Sequence, residues 1–288
     1  MKSGRKNQTV RAAIIGGIIV IAILVIGTIW MGQSASRDTN NAVRSVSLLY
    51  LDELAGRREQ VVEDKLNDNI EKISVAVSLM TGEDLSDEEH LRAYQARMKK
   101  LYKLEKFAFV DTEGVIYTSQ GTQENIDDYH FDHLTLTEPE ISLINPESEN
   151  RKVIIAVPVD MMLGDRHLTV CFMEIDMTVM LEGISISSQD VEATYCNIYT
   201  DSGISLSSQV LAGTAAESNL FDALGNAEFM DGYSLNQVKD DFAQGRKGTV
   251  SFIYKGARET LTYAPVKGTN WLLSYLIRER RSVSPLSG

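Results

Sequence analysis

Apolar and polar positions divide this chain into stretches of different period. From Ala12 to Met31 every residue is uncharged, and Ile, Val and Ala dominate. A helix of that length spans about 30 Å, the hydrocarbon thickness of a bilayer. The stretch predicts a transmembrane helix over 12–32, with Trp30 at the membrane–water interface. From about Ala42 to Met80 no proline occurs, and Val62, Leu66, Ile70, Ile73, Val77 and Met80 recur at steps of three and four. That spacing predicts an amphipathic helix, with Glu63, Asp64, Lys65, Asp68, Glu71 and Lys72 on its opposite face. Residues 33–80 are therefore expected to form a stalk.

Ser86-Asp87-Glu88-Glu89 has the form of a capping box, in which Ser86 and Glu89 satisfy free backbone N–H groups. It opens a helix with Leu91, Tyr94, Met98, Leu101 and Leu104 on one face. The period then changes to that of strands. Phe107 to Asp111 and Val115 to Ser119 flank a turn at Thr112-Glu113-Gly114 and predict a hairpin. A polar loop is expected from Gly121 to Asn150. Lys152 to Val159 and Leu168 to Ile175 predict two further strands around Gly164-Asp165.

The pattern recurs. Thr112-Glu113-Gly114-Val115-Ile116-Tyr117-Thr118-Ser119-Gln120 matches Asp201-Ser202-Gly203-Ile204-Ser205-Leu206-Ser207-Ser208-Gln209, 89 positions on. Thr194 to Thr200 and Ile204 to Ser208 then form the second hairpin. Ala156-Val157-Pro158-Val159 is echoed by Ala264-Pro265-Val266, and a closing strand follows each. Ser234 to Gln237 has the form of another capping box, ahead of a helix with Leu235, Val238 and Phe242 inward and a stop at Gly245. Gly248 to Tyr254, Arg258 to Pro265 and Trp271 to Ile277 predict an antiparallel meander, turning at Lys255-Gly256 and Gly268-Thr269-Asn270. Repeated elements in one order argue for a duplicated α+β module, 81–185 and 186–279, ahead of a polar tail at 280–288.

Charge sets the topology. Lys2, Arg5, Lys6 and Arg11 precede the apolar run, and no acid lies among residues 1–11, so this end is expected to be cytoplasmic and the bulk of the chain extracytoplasmic. With those four cations set aside, 24 basic residues face 40 acidic ones, a net of −16. Such a surface repels phosphates, which excludes nucleic acid as a partner. The two cysteines, Cys171 and Cys196, lie in apolar strand stretches, and a disulfide and two buried thiols both remain open.

An N-terminal anchor, a long helix and two modules of this kind resemble the double Cache (tandem PAS-like) sensor domains of bacterial membrane receptors. The resemblance covers about Val43 to Glu279. It is carried by the hairpins at Asp111–Ser119 and Thr200–Ser208, and by Tyr263-Ala264-Pro265-Val266 with Gly268 and Trp271. It implies an extracytoplasmic region that senses a small molecule, usually in the distal module, for a histidine kinase or diguanylate cyclase. In the stalk, Val43, Val46, Leu49 and Leu54 stay exposed unless something covers them, and a homodimer through the stalk is expected. The Tyr, Arg, Trp, Tyr and Asp set of the amino-acid-binding subgroup is not found, since no tryptophan lies between Trp30 and Trp271. Nor does a second membrane helix or an output domain follow Glu279. The expectation is a sensor truncated before its output, or alternatively a stand-alone anchored binding or adhesion module.

Catalytic signatures are lacking: no GxSxG, P-loop, GxGxxG, GGDEF, EAL or kinase motif occurs. No enzyme activity, cofactor or metal is expected. His130 and His133, among Asp127, Asp128 and Asp132, are read as a solvated loop rather than a metal site. In a PAS-like module the ligand lies between the sheet and its cover. By position the candidate contacts are Tyr117, Asp128, Tyr129 and Asp160. Tyr199, Tyr254, Tyr263 and Trp271 are expected in the core.

Overall fold

The computed structural model describes residues 25–28, 31, 45–46, 49, 53, 56–182, 194–207 and 213–278. Among the described residues no helix is long and apolar enough to cross a membrane. Most of the expected span, 12–32, and the first part of the stalk lie outside them, as do the expected boundary at 185/186 and the tail. From residue 56 onward the described residues form one compact unit.

The stalk helix, α1 (residues 56–78), buries Val62, Leu66, Ile73 and Ala76. Their four- and three-residue steps keep one stripe against the modules. At one end the Glu63 carboxylate accepts from the backbone N–H of Lys267 at 2.8 Å, and Arg58 lies over the Tyr275 ring. Further along, the Asn69 amide reaches Met180 Sδ at 3.4 Å, and Tyr94 Oη donates to the carbonyl of Ala76. One helix thus braces both modules.

The next helix, α2 (Glu88–Leu101), starts one residue later than the expected box. Asp87 is its N-cap and accepts from the His90 N–H at 2.9 Å, while Ser86 Oγ turns to the Glu83 carbonyl. The charged carboxylate suits the positive helix end better than a hydroxyl. Leu91, Tyr94 and Gln95 are buried, whereas Leu101 is exposed because the helix ends there.

The distal sheet holds β1 (Lys106–Asp111), β2 (Ile116–Thr118), β3 (Gly121–Gln123), β4 (Glu140–Ile144), β5 (Lys152–Leu163) and β6 (Arg166–Asp176). Their spatial order is β3-β2-β1-β6-β5-β4, all antiparallel. The stretch expected to be loop, Gly121 to Asn150, therefore contributes both edge strands. Both are short, as edges tend to be; β3 is Gly-Thr-Gln, while β4, Glu-Ile-Ser-Leu-Ile, alternates polar and apolar over only four residues. A short helix, α3 (Met177–Met180), closes the module under the cap of Asp176.

The proximal sheet runs β7-β11-β10-β9-β8, from β7 (Thr194–Thr200), β8 (Glu228–Phe229), β9 (Gly248–Tyr254), β10 (Ala257–Pro265) and β11 (Trp271–Arg278). Two helices, α4 (Leu220–Gly225) and α5 (Leu235–Ala243), pack on one face with Leu224, Val238, Phe242 and Phe252. Ser234 caps α5 through the Gln237 N–H, as its position implied. The described part of the expected return strand, 204–207, forms isolated bridges, Tyr199 to Ser205 and Ile204 to Asn219, while Ser208 lies outside the described residues.

The two sheets share one order of strands. β1, β6, β5 and β4 correspond to β7, β11, β10 and β9. Pro158 and Pro265 occupy the same place. Each lies two residues beyond the last pairing with the preceding strand, at Ala156 and at Tyr263, where a missing N–H costs no ladder bond on that side.

Candidate ligand site

The inner face of the distal sheet carries Ala108, Val110, Ile154, Ala156, Val170 and Phe172. The segment between β3 and β4 lies over it. Tyr129 and Phe131 from this cover are buried and stack on Phe172, with ring centroids at 4.7 and 5.3 Å. A polar group continues the same face. Lys106 and Ile154 flank Glu174 in register, and alternation along β5 brings Lys152 to that face as well.

Glu174 is buried and accepts from Lys152 Nζ at 2.8 Å, with Lys106 Nζ at 3.5 Å. Lys106 donates to Tyr129 Oη at 2.7 Å and to Gln123 Oε1 at 3.1 Å. Tyr129 in turn donates to Glu174 at 3.3 Å. Burial pushes the Glu174 carboxyl up, but the Lys152 hydrogen bond and the Lys106 charge outweigh it and hold it below its ordinary value. The hydrogen bond to Glu174 holds Lys152 up. Burial, then the Glu174 charge, pushes the Tyr129 phenol well up, so it remains a neutral donor. Two ammoniums, those of Lys106 and Lys152, thus flank one buried carboxylate.

The four sequence candidates do not converge. Tyr129 belongs to this group. Asp128 stands beside it in a single 3-10 turn, exposed and bonded to the Asn125 amide at 2.8 Å. Tyr117 pairs with Phe109 and shares its face, on the α2 side of the sheet, opposite the cover. Its hydroxyl donates to Asp111 at 3.0 Å, and burial with that bond pushes its pKa up to about 12. Asp160 sits at the far end of the β5–β6 hairpin, almost fully exposed, 2.7 Å from the His167 ring. Lys106, Gln123, Lys152 and Glu174 escaped the sequence reading. A glutamate inside the apolar run Leu168 to Ile175 was the one visible signal, since an acid there requires buried partners.

In the proximal module Tyr199, Tyr254 and Tyr263 lie in the core. Tyr263 donates to Asp241 at 2.7 Å and Tyr254 to Glu217 at 2.7 Å. Among the described residues no three His, Cys, Asp or Glu side chains form a group that would hold a metal.

No family model and no curated protein matches the chain. Solved structures do. The extracellular domain of mmHK1S-Z2, assigned as a histidine kinase, aligns over 80% of this chain and 97% of its own, with a TM-score of 0.54 and 13% identity. The ligand-binding domain of the Pseudomonas fluorescens chemoreceptor CtaA, in complex with L-leucine, aligns over 83% and 97%, with a TM-score of 0.55 and 13% identity. That of the Pseudomonas aeruginosa amino acid chemoreceptor PctB, with L-Arg, gives 83% and 97%, a TM-score of 0.50 and 15% identity. This chain has the fold of an extracellular sensor domain. The tandem PAS-like arrangement expected from the repeated hairpins is the arrangement found: two antiparallel sheets with one strand order.

Proposed function

We infer that this chain is the extracytoplasmic small-molecule-sensing region of a bacterial signal-transduction receptor, of the histidine kinase or diguanylate cyclase type. The observation that carries the reading is the Lys106–Glu174–Lys152 group beneath Tyr129, in the distal module of a fold shared with extracellular sensor domains. Two ammoniums beside an aromatic cover suit a small organic carboxylate. The ligand carboxylate takes the place of Tyr129 Oη on Lys106, and its body rests on Phe172. Asp128 lies at the rim, while Tyr117 and Asp160 hold the scaffold.

Residues 12–32 anchor the region with the N-terminus inside, and the stalk pairs it with a second copy. Because α1 touches both modules, a ligand-driven shift of the distal cover has a rigid element to act on. The catalytic output lies in another segment.

Thermal-shift screening of the full chain against small carboxylates, amino acids and neutral metabolites tests this. A carboxylate is expected to raise the melting temperature with the logarithm of its concentration above Kd, and Lys152→Met to abolish the rise. A panel with no stabilising carboxylate, or a shift untouched by Lys152→Met, overturns the assignment.

A further inference from the structure

A cavity of about 530 Å³ opens where the two modules meet. One wall is β4 of the distal module, with Ile141 and Leu143, near His130. The other consists of two proximal turns, one bearing Asp201 and Ser202, the other Asn270. The Asp201 N–H donates to the Asn270 carbonyl at 2.9 Å, so the two turns form one fixed wall.

The duplication explains why a carboxylate stands there. In the distal hairpin the acid is Asp111, and its side chain is consumed within the turn by the N–H groups of Glu113 and Val115 and the Tyr117 hydroxyl. In the proximal copy Thr200 takes the capping place and accepts the Ile204 N–H at 3.1 Å. The acid has moved one position along, to Asp201, at the turn and on the cavity wall. It is therefore not used to close its own turn.

The remaining lining sets the class of ligand. It contains one carboxylate, the His130 imidazole, several hydroxyls and an amide, with no lysine or arginine. An anion would meet Asp201 with no lysine or arginine to compensate it. A cation gains a charge-assisted hydrogen bond, and Ile141 and Leu143 offer an aliphatic wall. The volume falls in the range of about 300–1,000 Å³ usual for small-molecule sites. We propose that this cleft is a second ligand site, distinct from the distal one, which takes a small aliphatic amine with its ammonium on Asp201. A ligand there touches both modules at once and so favours the arrangement in which they are apposed.

The test is calorimetric titration of the full chain in nanodiscs with 1,4-diaminobutane, and with 1,4-butanediol as its uncharged counterpart. Saturable binding of the diamine is expected, at least about tenfold tighter than the diol, because a charged hydrogen bond is lost with the latter. Asp201→Asn is expected to weaken the diamine about tenfold, while Asp165→Asn, at the exposed turn between β5 and β6, leaves it unchanged. No saturable diamine binding, equal affinity in Asp201→Asn, or an equal loss in Asp165→Asn overturns the proposal. The carboxylate screen reads Lys152 instead, so either site can fail without the other.

Discussion

Asp111 and Thr200 hold the same place in the two modules. Each ends the first strand of its sheet, and each accepts a backbone N–H four residues on, from Val115 at 3.0 Å and from Ile204 at 3.1 Å. The turns they close both pass through a glycine at positive φ, Gly114 at 81° and Gly203 at 82°. A Cβ at Gly203 would also press on the Phe221 ring.

The two caps are unequal in consequence. Asp111 also accepts from Glu113 N–H and from Tyr117, and it is buried, whereas Thr200 holds one backbone bond and one to Ser202. Asp111→Ala is expected to cost about 2–3 kcal/mol and Thr200→Val about 1 kcal/mol. Urea denaturation of the two variants checks this, and equal losses would contradict it.

Arg278 pairs with Glu259, a side chain with no exposure. Its guanidinium donates twice to Oε1, at 2.7 and 2.9 Å, and Thr214 Oγ1 donates to Oε2 at 3.0 Å. Arg278→Met strands a buried carboxylate and is expected to cost about 3–5 kcal/mol. Adding Glu259→Gln removes the stranded charge and should recover part of the loss, a coupling that a double-mutant cycle reads directly.

Acid should weaken the distal module through Glu174. Its folded pKa is depressed, so its contribution is complete above the ordinary glutamate value of 4.5 and fades as pH falls through the folded value. Lys152 is raised, so its share is lost only as pH climbs past 10.5. Stability measured from pH 6 down to pH 3 should fall less steeply in Glu174→Gln than in the parent chain. A slope identical in both would rule out this linkage.

Cys171 and Cys196 are free and buried, one in each sheet. Burial raises both thiols, Cys196 to about 11 and Cys171 well above its ordinary value. Since the thiolate is the reactive form, the native chain should resist iodoacetamide at pH 8 while the urea-unfolded chain takes two labels. Reductant should leave the melting temperature unchanged. A reductant-sensitive melt would reveal a disulfide.

Much of this fold is written in local pattern. The α1 stripe from Val62 to Ile73, the turn at Gly256 with its φ of 76°, and the repeated hairpin signature each arise from spacing or from a residue's own backbone preference. Neighbours in sequence suffice to specify them. The edge strand β3 and the helix α4 left no such trace, and the alternation of β4 covers only four residues of a polar segment. β3, β4 and α4 are three, five and six residues long, and partners far along the chain stabilise them.

The site divides along the same line. Sequence alone marked Tyr129, by its position in the cover expected over a PAS-like sheet, and the duplication that places such a sheet in each module. Only the tertiary structure put Tyr117 on the opposite face, brought Lys106, Lys152 and Glu174 to one point, and set Asp201 opposite Ile141. Alternation within a strand fixes which residues share a face. Which face the cover chooses, and which charges then lose their water together, depends on strand register and on contacts between elements distant in sequence.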